Sequence, residues 1–309
     1  MIKRTILLGA PMYVRTELNQ LVIERDESVA ARRPIEDIGY VVVEHPQVRF
    51  STPALQQLAA SNTVVVFCGR DHMPNALLLP MDQHYTAGAH TRAQAEASRP
   101  LRKQLWKQTV KAKLRNQAHV LRRVGAPSGA ALERIARRVR SGDPDNAEAE
   151  GARRYWSQVF SEFEELSGFT RDRYGEMPNA LLNYGYSILR SATSRALVGA
   201  GLHPAFGIHH RNKYNAFCLA DDLMEPYRPF VDEIVLELLR DGLVREENGL
   251  TMACKQALLQ VTMLQVSSGE RSGSLMVALQ RSAWSLAACY MGDKKRIVYP
   301  KVANEEEGA

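Results

Sequence analysis

The chain has few cysteines and no long apolar run, and each absence excludes a class of protein. The four cysteines among its 309 residues are Cys68, Cys218, Cys254 and Cys289. Their spacing excludes a zinc knuckle, a CxxC motif and a compact disulfide framework. No stretch approaches the ~20 apolar residues of a membrane-spanning helix. The basic, apolar start of the chain is broken by Gly9 and Pro11, with no cleavage site of a signal peptide after it. We therefore expect a cytoplasmic protein with reduced thiols and no membrane association.

Motifs of several common enzyme classes are also missing. The sequence contains no GxxxxGK[ST] phosphate-binding loop, no HExxH motif and no GxSxG nucleophile motif. Gly199-Ala200-Gly201 imitates a dinucleotide-binding loop. However, Pro204 stands where a third glycine belongs, and the predicted helix precedes the glycines instead of following them. The sequence therefore gives no indication of a nucleotide-binding loop or of a serine nucleophile.

Acidic residues are absent from one long basic segment. No Asp or Glu occurs between Glu96 and Glu133, whereas eight Lys or Arg residues lie within 101–123. The net charge of the whole chain is only +6, so this segment is much more basic than its surroundings. Clustered cations bind nucleic acids because they release counterions from phosphates. We favour such contact over an ordinary solvated helix face. The predicted contact residues of this segment are Lys103, Lys107, Lys111, Lys113 and Arg115.

The residue pattern divides the chain into a strand-rich first part and a helical remainder. Up to about residue 85, short β-branched runs such as 39–44 alternate with turn residues, and Ser51-Thr52-Pro53 predicts a capped short helix. After about residue 90, apolar residues such as Trp106, Val110 and Leu114 recur at helical spacing. We predict an α+β protein. The predicted bounds are 1–85 for a β domain, 86–97 for a linker, 98–300 for an all-α domain and 301–309 for an acidic disordered tail.

The densest group of potential metal ligands begins at Gly207-Ile208-His209-His210. A short loop then leads to Asp221, Asp222 and Glu225 in a predicted helix. An imidazole with two or more carboxylates suits Mg²⁺ or Mn²⁺, and a basic protein holding such an ion is a candidate for phosphodiester chemistry. Glu225 shares a helix face with Asp222 and with Asp221, so spacing alone does not choose between them. The ordinary alternative is that these acids stabilise a helix start.

A separate acidic segment begins near residue 145. Asp145 or Asn146 is predicted to cap a helix, and Glu148 and Glu150 follow. Glu148 lies seven residues before Tyr155 and shares its helix face, whereas Glu150 points about 160° away from Glu148. If one of the two acids faces inward beside Tyr155, it is therefore Glu148. The alternative is again a solvated helix start.

Several of these segments, taken in order, resemble one known family. They are Asp-Pro-Asp-Asn-Ala-Glu-Ala (143–149) with Ala-Arg-Arg-Tyr-Trp (152–156), Asn-Ala-Leu-Leu-Asn-Tyr-Gly-Tyr (179–186), Gly-Ile-His-His (207–210) and Leu-Ala-Asp-Asp-Leu-Met-Glu-Pro-Tyr-Arg-Pro (219–229). The sequence is similar to the CRISPR-associated integrase and endonuclease of spacer acquisition, the Cas-one family, nearly from end to end. Residues 105–108 and 209–215 resemble its type II form, subtype II-C.

The resemblance implies an N-terminal β-sandwich, used for dimerisation and partner docking, and a larger all-α catalytic domain. The family's metal ligands are a glutamate seven residues before a tyrosine–aromatic pair, the last histidine of Gly-x-x-His, and an acid three residues after an Asp of the following helix. The matching catalytic and metal-binding residues are Glu148, His210 and Glu225. Asp222, Asp221 and His209 support the site. Many members carry Glu-Gly at the first ligand, which matches Glu150-Gly151, but the spacing to Tyr155 favours Glu148.

The family's activity implies insertion of foreign DNA fragments into the CRISPR array by attack of a 3′-hydroxyl on a phosphodiester, with Mg²⁺ or Mn²⁺. Attack by water would give nuclease activity on double-stranded or branched DNA. Arg211 and Lys213 would contact the nucleic acid and share the charge that develops in the reaction, and Lys255 and Arg281 are weaker candidates for sharing that charge. The implied partners are double-stranded DNA (prespacer and CRISPR repeat), a second copy of the chain, a Cas-two dimer completing a heterohexamer, and the type II effector Cas-nine. A nucleic-acid scaffold without catalysis and a metal-dependent hydrolase of RNA or phosphate esters stay open as alternatives.

Overall fold

The computed structural model describes residues 4–80, 84–244, 249–268 and 271–301. Strands dominate the first part of the chain and helices the rest, as predicted. The elements of the first part are β1 (Arg4–Leu8), β2 (Tyr13–Glu17), β3 (Gln20–Arg25), β4 (Ser28–Pro34), β5 (Ile38–Val43), β6 (Arg49–Phe50), α1 (Thr52–Ala60), β7 (Val64–Cys68) and β8 (Pro74–Leu78). Helix α1 begins at the predicted cap, where the Ser51 hydroxyl accepts a hydrogen bond from the Ala54 amide.

The strands form two four-stranded sheets that enclose one core. One sheet has the order β1-β5-β7-β8, with β8 antiparallel to its neighbour, and the other has the order β4-β3-β2-β6. Side chains of β5 alternate between the two faces of their sheet, as in any strand. Val41 and Val43 face the core between the sheets, whereas Tyr40 and Val42 belong to the core of the helical part. Strand β5 is therefore buried on both of its faces.

The second part is helical except for one β-hairpin. Its elements are α2 (Ala87–Ala95), α3 (Arg99–Arg123), α4 (Gly129–Arg138), α5 (Ala147–Trp156), α6 (Asn179–Val198), α7 (Cys218–Met224), α8 (Arg228–Arg240), α9 (Met252–Leu259), β9 (Gln265–Ser268), β10 (Arg271–Ser274) and α10 (Leu275–Met291). The hairpin of β9 and β10 corrects the prediction of an all-α domain. None of the helices in the described ranges is long and apolar enough to cross a membrane.

The segment predicted as a linker, 86–97, contains helix α2. The Gln94 amide nitrogen donates hydrogen bonds of 2.9 Å to the carbonyl oxygens of His203 and Phe206, and its oxygen accepts one from the His203 amide. His90 also hydrogen-bonds the Ala200 carbonyl at 2.8 Å. These contacts fix the start of the loop that carries the histidine pair. The domain bounds themselves stay a prediction, and the predicted tail lies, apart from Lys301, outside the described residues.

Buried polar contacts join the two parts of the chain. Lys255 of α9 forms an ion pair with Glu44, and both residues are at most 6% exposed. Arg195 of α6 donates a hydrogen bond of 2.5 Å to the Asn62 carbonyl at the end of α1. Because Lys255 already has a buried partner at the domain boundary, the structure contradicts its prediction as a cation that shares developing charge at the catalytic site.

Candidate metal centre

Helix α5 begins at a turn that fixes the direction of its acidic residues. The Asp143 carboxylate accepts hydrogen bonds of 2.9 Å from the amides of Ala147 and Glu148. Asn146 occupies the N-cap position, as predicted for one of the two candidates, but its side chain makes no capping hydrogen bond, and Asp143 supplies the capping carboxylate instead. Further along, a Cβ at Gly151 would lie 2.1 Å from Leu114 Cδ2, so glycine permits α5 to pack closely on α3. The side of α5 near Gly151 consequently faces α3.

The two glutamates of α5 point to different partners, in agreement with the helical spacing. Glu148 Oε1 lies 2.7 Å from the ammonium of Lys113 on α3. Glu150 pairs instead with Arg138 of α4 and with Arg154 at 3.5 Å. Of the two, Glu148 is the acid that lies beside the other predicted ligands, and the glycine after Glu150 serves helix packing.

Glu225 lies in a 3-10 turn, Glu225–Tyr227, between α7 and α8, and it is 6% exposed. Its Oε1 lies 3.1 Å from Arg228, and its Oε2 lies 2.6 Å from Lys113. Burial alone would raise the pKa of Glu225, but the charges of Arg228 and Lys113 more than offset burial and lower the pKa to about 2. Glu225 is therefore an anion at any pH near neutrality.

Lys113 lies between the two glutamates, and this contradicts its prediction as a surface contact for DNA. Its ammonium contacts both carboxylates, and the residue is only 6% exposed. Burial opposes the charged form, but Glu225 and Glu148 compensate and raise the pKa of Lys113 above its ordinary value. An ammonium held by two carboxylates is not available at the surface.

His210 is oriented by the buried carboxylate of Asp222. The distance from His210 Nδ1 to Asp222 Oδ1 is 2.5 Å, and the other oxygen, Oδ2, accepts a hydrogen bond of 2.7 Å from the His209 amide. The Asp222 side chain is 0% exposed, whereas His210 is 47% exposed. A Cβ at Gly207 would lie 2.2 Å from the His210 carbonyl oxygen, so only glycine permits this turn. The hydrogen bond that His210 donates to the Asp222 carboxylate raises the pKa of His210. With Nδ1 engaged, Nε2 is the nitrogen left to bind a metal.

The remaining predicted supporting residues have different contacts. The His209 ring stacks on Trp106 of α3, with ring centroids 4.3 Å apart and planes at 7°. Asp221 forms a two-pronged ion pair with Arg190 of α6, at 2.6 and 3.0 Å, and accepts a hydrogen bond from Asn215. His209 thus braces the histidine loop, and Asp221 anchors α7 to α6.

A layer of buried polar groups lies behind Glu225. Asp232 of α8 accepts hydrogen bonds from the hydroxyls of Tyr155, at 2.7 Å, and Tyr186. Burial raises the pKa of Asp232 to about 6, even though both hydroxyls stabilise its charged form. The Arg228 guanidinium lies 4.4 Å from the centre of the Tyr186 ring, so this network also positions the arginine that contacts Glu225.

The donor set fits a hard divalent cation, although it is not arranged around one. Two carboxylates and one imidazole suit Mg²⁺ or Mn²⁺. The buried oxygen Glu225 Oε2 already contacts a cation, the Lys113 ammonium, at 2.6 Å. Within the described residues, no three His, Cys, Asp or Glu side chains stand close enough to hold a metal as they are. The Lys113 ammonium occupies the space between the two glutamates.

The basic segment contributes one wall of a groove on the other side of α3. Lys107, Lys111 and Arg115 are four residues apart and share a helix face, about 160° from Lys113. They line a groove of about 570 Å³ whose second wall is the segment 295–301. The basic residues of that wall are Lys295, Arg296 and Lys301. The lining residues include no acid among the described part of the chain. Repulsion from Lys107 and Arg115 adds to burial in lowering the pKa of Lys111.

The other predicted DNA-contact residues lie outside this groove. Lys103 is exposed near the start of α3, and its carbonyl accepts a hydrogen bond from Gly142. Arg211 and Lys213 are exposed in the loop after His210. Arg281, a weaker candidate, donates hydrogen bonds to backbone carbonyls of Arg271 and Ser272 in β10.

Sequence reasoning missed three contributors to this region. Arg228 neutralises Glu225, Trp106 supports His209, and segment 295–301 completes the basic groove. Lys113 was predicted to lie at the surface, although its position in the helical repeat indicates that it is buried. It stands seven residues after the buried Trp106, and therefore on the apolar face of α3.

Comparison with known proteins identifies the family. The sequence model described as CRISPR associated protein Cas1 matches residues 6–260. A CRISPR-associated endonuclease Cas1 of Neisseria meningitidis serogroup C (strain 8013) is 34% identical over 287 residues, which cover 92% of this chain and 91% of that protein. A second Cas1 endonuclease, from Thermus thermophilus, is 31% identical over 76% of this chain and 75% of its own length. The chain therefore belongs to the Cas1 family, the Cas-one family of the resemblance above.

Solved structures agree on the fold. A casposase bound to integration product superimposes with a TM-score of 0.79 at 20% identity, covering 95% of this chain and 92% of that one. A CAS1 protein from Thermotoga maritima gives a TM-score of 0.78 at 17% identity, with 97% and 100% of the two chains covered. The predicted family, the α+β fold class and the enzyme class, an endonuclease, are confirmed. The alternatives of a non-catalytic scaffold and of an RNA or phosphoester hydrolase are not favoured.

Proposed function

We propose that the protein inserts DNA fragments into a CRISPR array at a metal centre formed by Glu148, His210 and Glu225, with Mg²⁺ or Mn²⁺ as the ion. The observation that carries the assignment is the Asp222–His210 hydrogen bond of 2.5 Å, in a site where Glu148 and Glu225 approach the same ammonium. A carboxylate on one nitrogen of a histidine is the usual partner of a metal on the other.

In the proposed reaction, a DNA 3′-hydroxyl attacks a phosphodiester of the target strand. A new P–O bond forms to the attacking oxygen, the old P–O bond breaks, and the leaving strand retains a 3′-hydroxyl. When bound, the divalent ion supplies Lewis-acid polarisation of a phosphoryl oxygen and orients the attacking hydroxyl. Attack by water in the same place gives cleavage of double-stranded or branched DNA.

The chain's own residues hold the reactants. Asp222 fixes the His210 ring, and Arg228 keeps Glu225 charged. The exposed cations Arg211 and Lys213 follow His210 directly and are positioned to contact phosphates near the reacting one. The groove between α3 and 295–301 is a second path for a DNA backbone, since its cations have no acid among the described lining residues.

The proposed partners are double-stranded DNA, a second copy of the chain, a Cas2 dimer and the type II effector Cas9. Two observations on similar folds support DNA and Cas2. One neighbour in fold is a casposase bound to integration product. Another belongs to a Cas6-RT-Cas1–Cas2 complex and superimposes with a TM-score of 0.75 at 18% identity, covering 97% of this chain and 36% of that one. Subtype II-C and action in the cytoplasm are part of the same proposal.

The test is strand transfer by purified protein with Cas2 on a plasmid that carries a repeat, in Mg²⁺ or Mn²⁺. His210→Ala is expected to abolish both transfer and metal-dependent cleavage. His45→Ala is the matched control, because that histidine lies in the loop after β5, where its Nδ1 accepts a hydrogen bond from the Gln47 amide. Full transfer by the His210 variant would disprove the site. Free cleavage without transfer products would favour a nuclease that does not integrate.

A further inference from the structure

Lys113 has one of the most enclosed charged side chains of the candidate centre, together with Asp222 and Glu225. Its ammonium is 2.7 Å from Glu148 Oε1 and 2.6 Å from Glu225 Oε2, and its side chain is 7% exposed. An ammonium is removed from water at a considerable cost unless carboxylates compensate it. Here two carboxylates do so, on two elements that are far apart in sequence.

Packing, and not chance side-chain flexibility, positions this ammonium. The next residue, Leu114, fills the space over Gly151, so α3 and α5 are held at close distance at the level of Lys113. Asn116 on α3 donates a hydrogen bond of 2.7 Å to the Pro226 carbonyl, which fixes the turn that carries Glu225. The three elements around Lys113 are therefore joined independently of the ion pairs.

We propose that Lys113 is the resident counter-cation of the metal centre: its ammonium holds Glu148 and Glu225 together in the metal-free protein, and a divalent ion binds by displacing it. The inference rests on the proposed metal site. It explains why ligands of suitable chemistry are present in the described residues without forming a ready coordination group. It also gives the buried oxygen Glu225 Oε2 a purpose, since that atom contacts the ammonium at 2.6 Å in the metal-free protein and would contact the metal in its place.

Displacement raises the concentration of divalent ion at which the centre is filled. The metal-binding arrangement, with the ammonium withdrawn, is a minor state of the metal-free protein, so the apparent affinity is lowered by its population. At low divalent concentration the two carboxylates stay neutralised by Lys113, and the protein is inactive on DNA. Metal binding thereby frees a lysine beside the reacting phosphate.

The first test measures Mn²⁺ affinity of the full-length protein by calorimetry or by electron paramagnetic resonance. Lys113→Met keeps the length of the side chain and removes the charge, and Lys111→Met is the matched control on the groove side of α3. The Lys113 variant is expected to bind Mn²⁺ about tenfold more tightly, because the competing state is lost, while the control binds as the wild type. Equal or weaker binding by a folded Lys113 variant overturns the proposal.

The second test uses the wild-type protein, so it holds even if the Lys113 variant does not fold. Lysines are methylated reductively in EDTA or in Mn²⁺, and peptides are quantified by mass spectrometry. Lys113 is expected to be protected in EDTA and at least about fivefold more reactive in Mn²⁺, with Lys111 reactive in both. Equal protection of Lys113 in both conditions overturns the proposal. If His210→Ala leaves Mn²⁺ affinity unchanged, the proposed centre itself fails, which is a separate result.

Discussion

Replacing Asp222 by Asn should disable the metal centre without removing any ligand. The Asp222 oxygens accept from two backbone amides, those of His209 and His210, and contact His210 Nδ1 at 2.5 Å. An asparagine offers one acceptor oxygen and one NH₂ group. If its oxygen remains on the amide of His209, at the 2.7 Å position of Oδ2, its NH₂ group faces His210 Nδ1.

That arrangement reverses the hydrogen bond to the imidazole. Nδ1 must then accept, so the neutral ring carries its proton on Nε2, the nitrogen proposed to bind the metal. Loss of such a carboxylate partner costs about 10- to 100-fold in metal affinity. This corresponds to about 1.4 to 2.7 kcal/mol. Strand transfer at sub-saturating Mn²⁺ should fall by at least the same factor.

The assay is Mn²⁺ titration of Asp222→Asn and wild type, with nitrogen-15 shifts of the His210 ring to report the tautomer. Asp221→Asn is the matched control, because the neighbouring carboxylate contacts Arg190 and Asn215 and not a histidine. The control should bind Mn²⁺ within about threefold of the wild type, as expected for a change that leaves the ligands and their hydrogen-bond partners in place. Wild-type affinity and transfer in a folded Asp222 variant would refute the reasoning.

Three further predictions follow from other contacts. Glu148→Gln should lower Mn²⁺-dependent cleavage by at least about 100-fold, whereas Glu150→Gln should leave it nearly unchanged, since a lost ligand weakens Lewis-acid catalysis. Replacing Lys107 and Lys111 by Ala should reduce the salt dependence of duplex binding, log Kd against log salt, by about 2 in slope. The pKa of Asp232 is raised from 3.8 to about 6, so the protonated carboxyl stabilises the folded state. This contribution is complete below the pKa of the unfolded state, 3.8, and is lost as the pH rises through 6. The loss amounts to about 3 kcal/mol, and denaturant unfolding of Asp232→Asn should lack it.

Each of these measurements has an outcome that would count against it. Equal loss of cleavage in the two glutamate variants would mean that α5 presents Glu150 to the metal. An unchanged slope for the lysine pair would remove the groove from the DNA path, and Arg134→Ala with Arg137→Ala on α4 is the charge-matched control. A wild-type pH profile in the Asp232 variant would show that another group titrates near pH 6.

The sequence was sufficient for the local parts of the site. Gly207 and the histidine pair form one tight turn, and Asp221 and Asp222 lie on the short helix that ends just before Glu225, so spacing indicated the candidate ligands without choosing among them. Glu148 was distinguished from Glu150 by helix geometry, because the seven-residue step to Tyr155 is nearly two full turns. Resemblance to a family then joined these segments.

Contacts between distant elements could not be predicted in the same way. Lys113 looks in sequence like any other cation of a basic helix, and only the arrival of Glu225 and Glu148 from other elements makes it a buried ion. Strands β9 and β10 were missed because Gln-Val-Ser-Ser and Arg-Ser-Gly-Ser are poor in the β-branched and aromatic residues typical of strands. The N-cap position of α5 was predicted but its capping side chain was not, because Asn146, at φ 52°, adopts a left-handed conformation and Asp143 accepts the hydrogen bonds of the first amides instead.

The buried ion pair between Lys255 and Glu44 has a consequence for how the molecule can be divided. Cutting the chain between the sandwich and the helices would leave Lys255 without its carboxylate and Arg195 without its carbonyl, each in an apolar setting. It would also expose the valine face of β5 that now belongs to the helical core. We therefore expect the helical part to be less stable on its own, so that a truncation which loses activity has to be checked for unfolding before the loss is assigned to a missing docking surface.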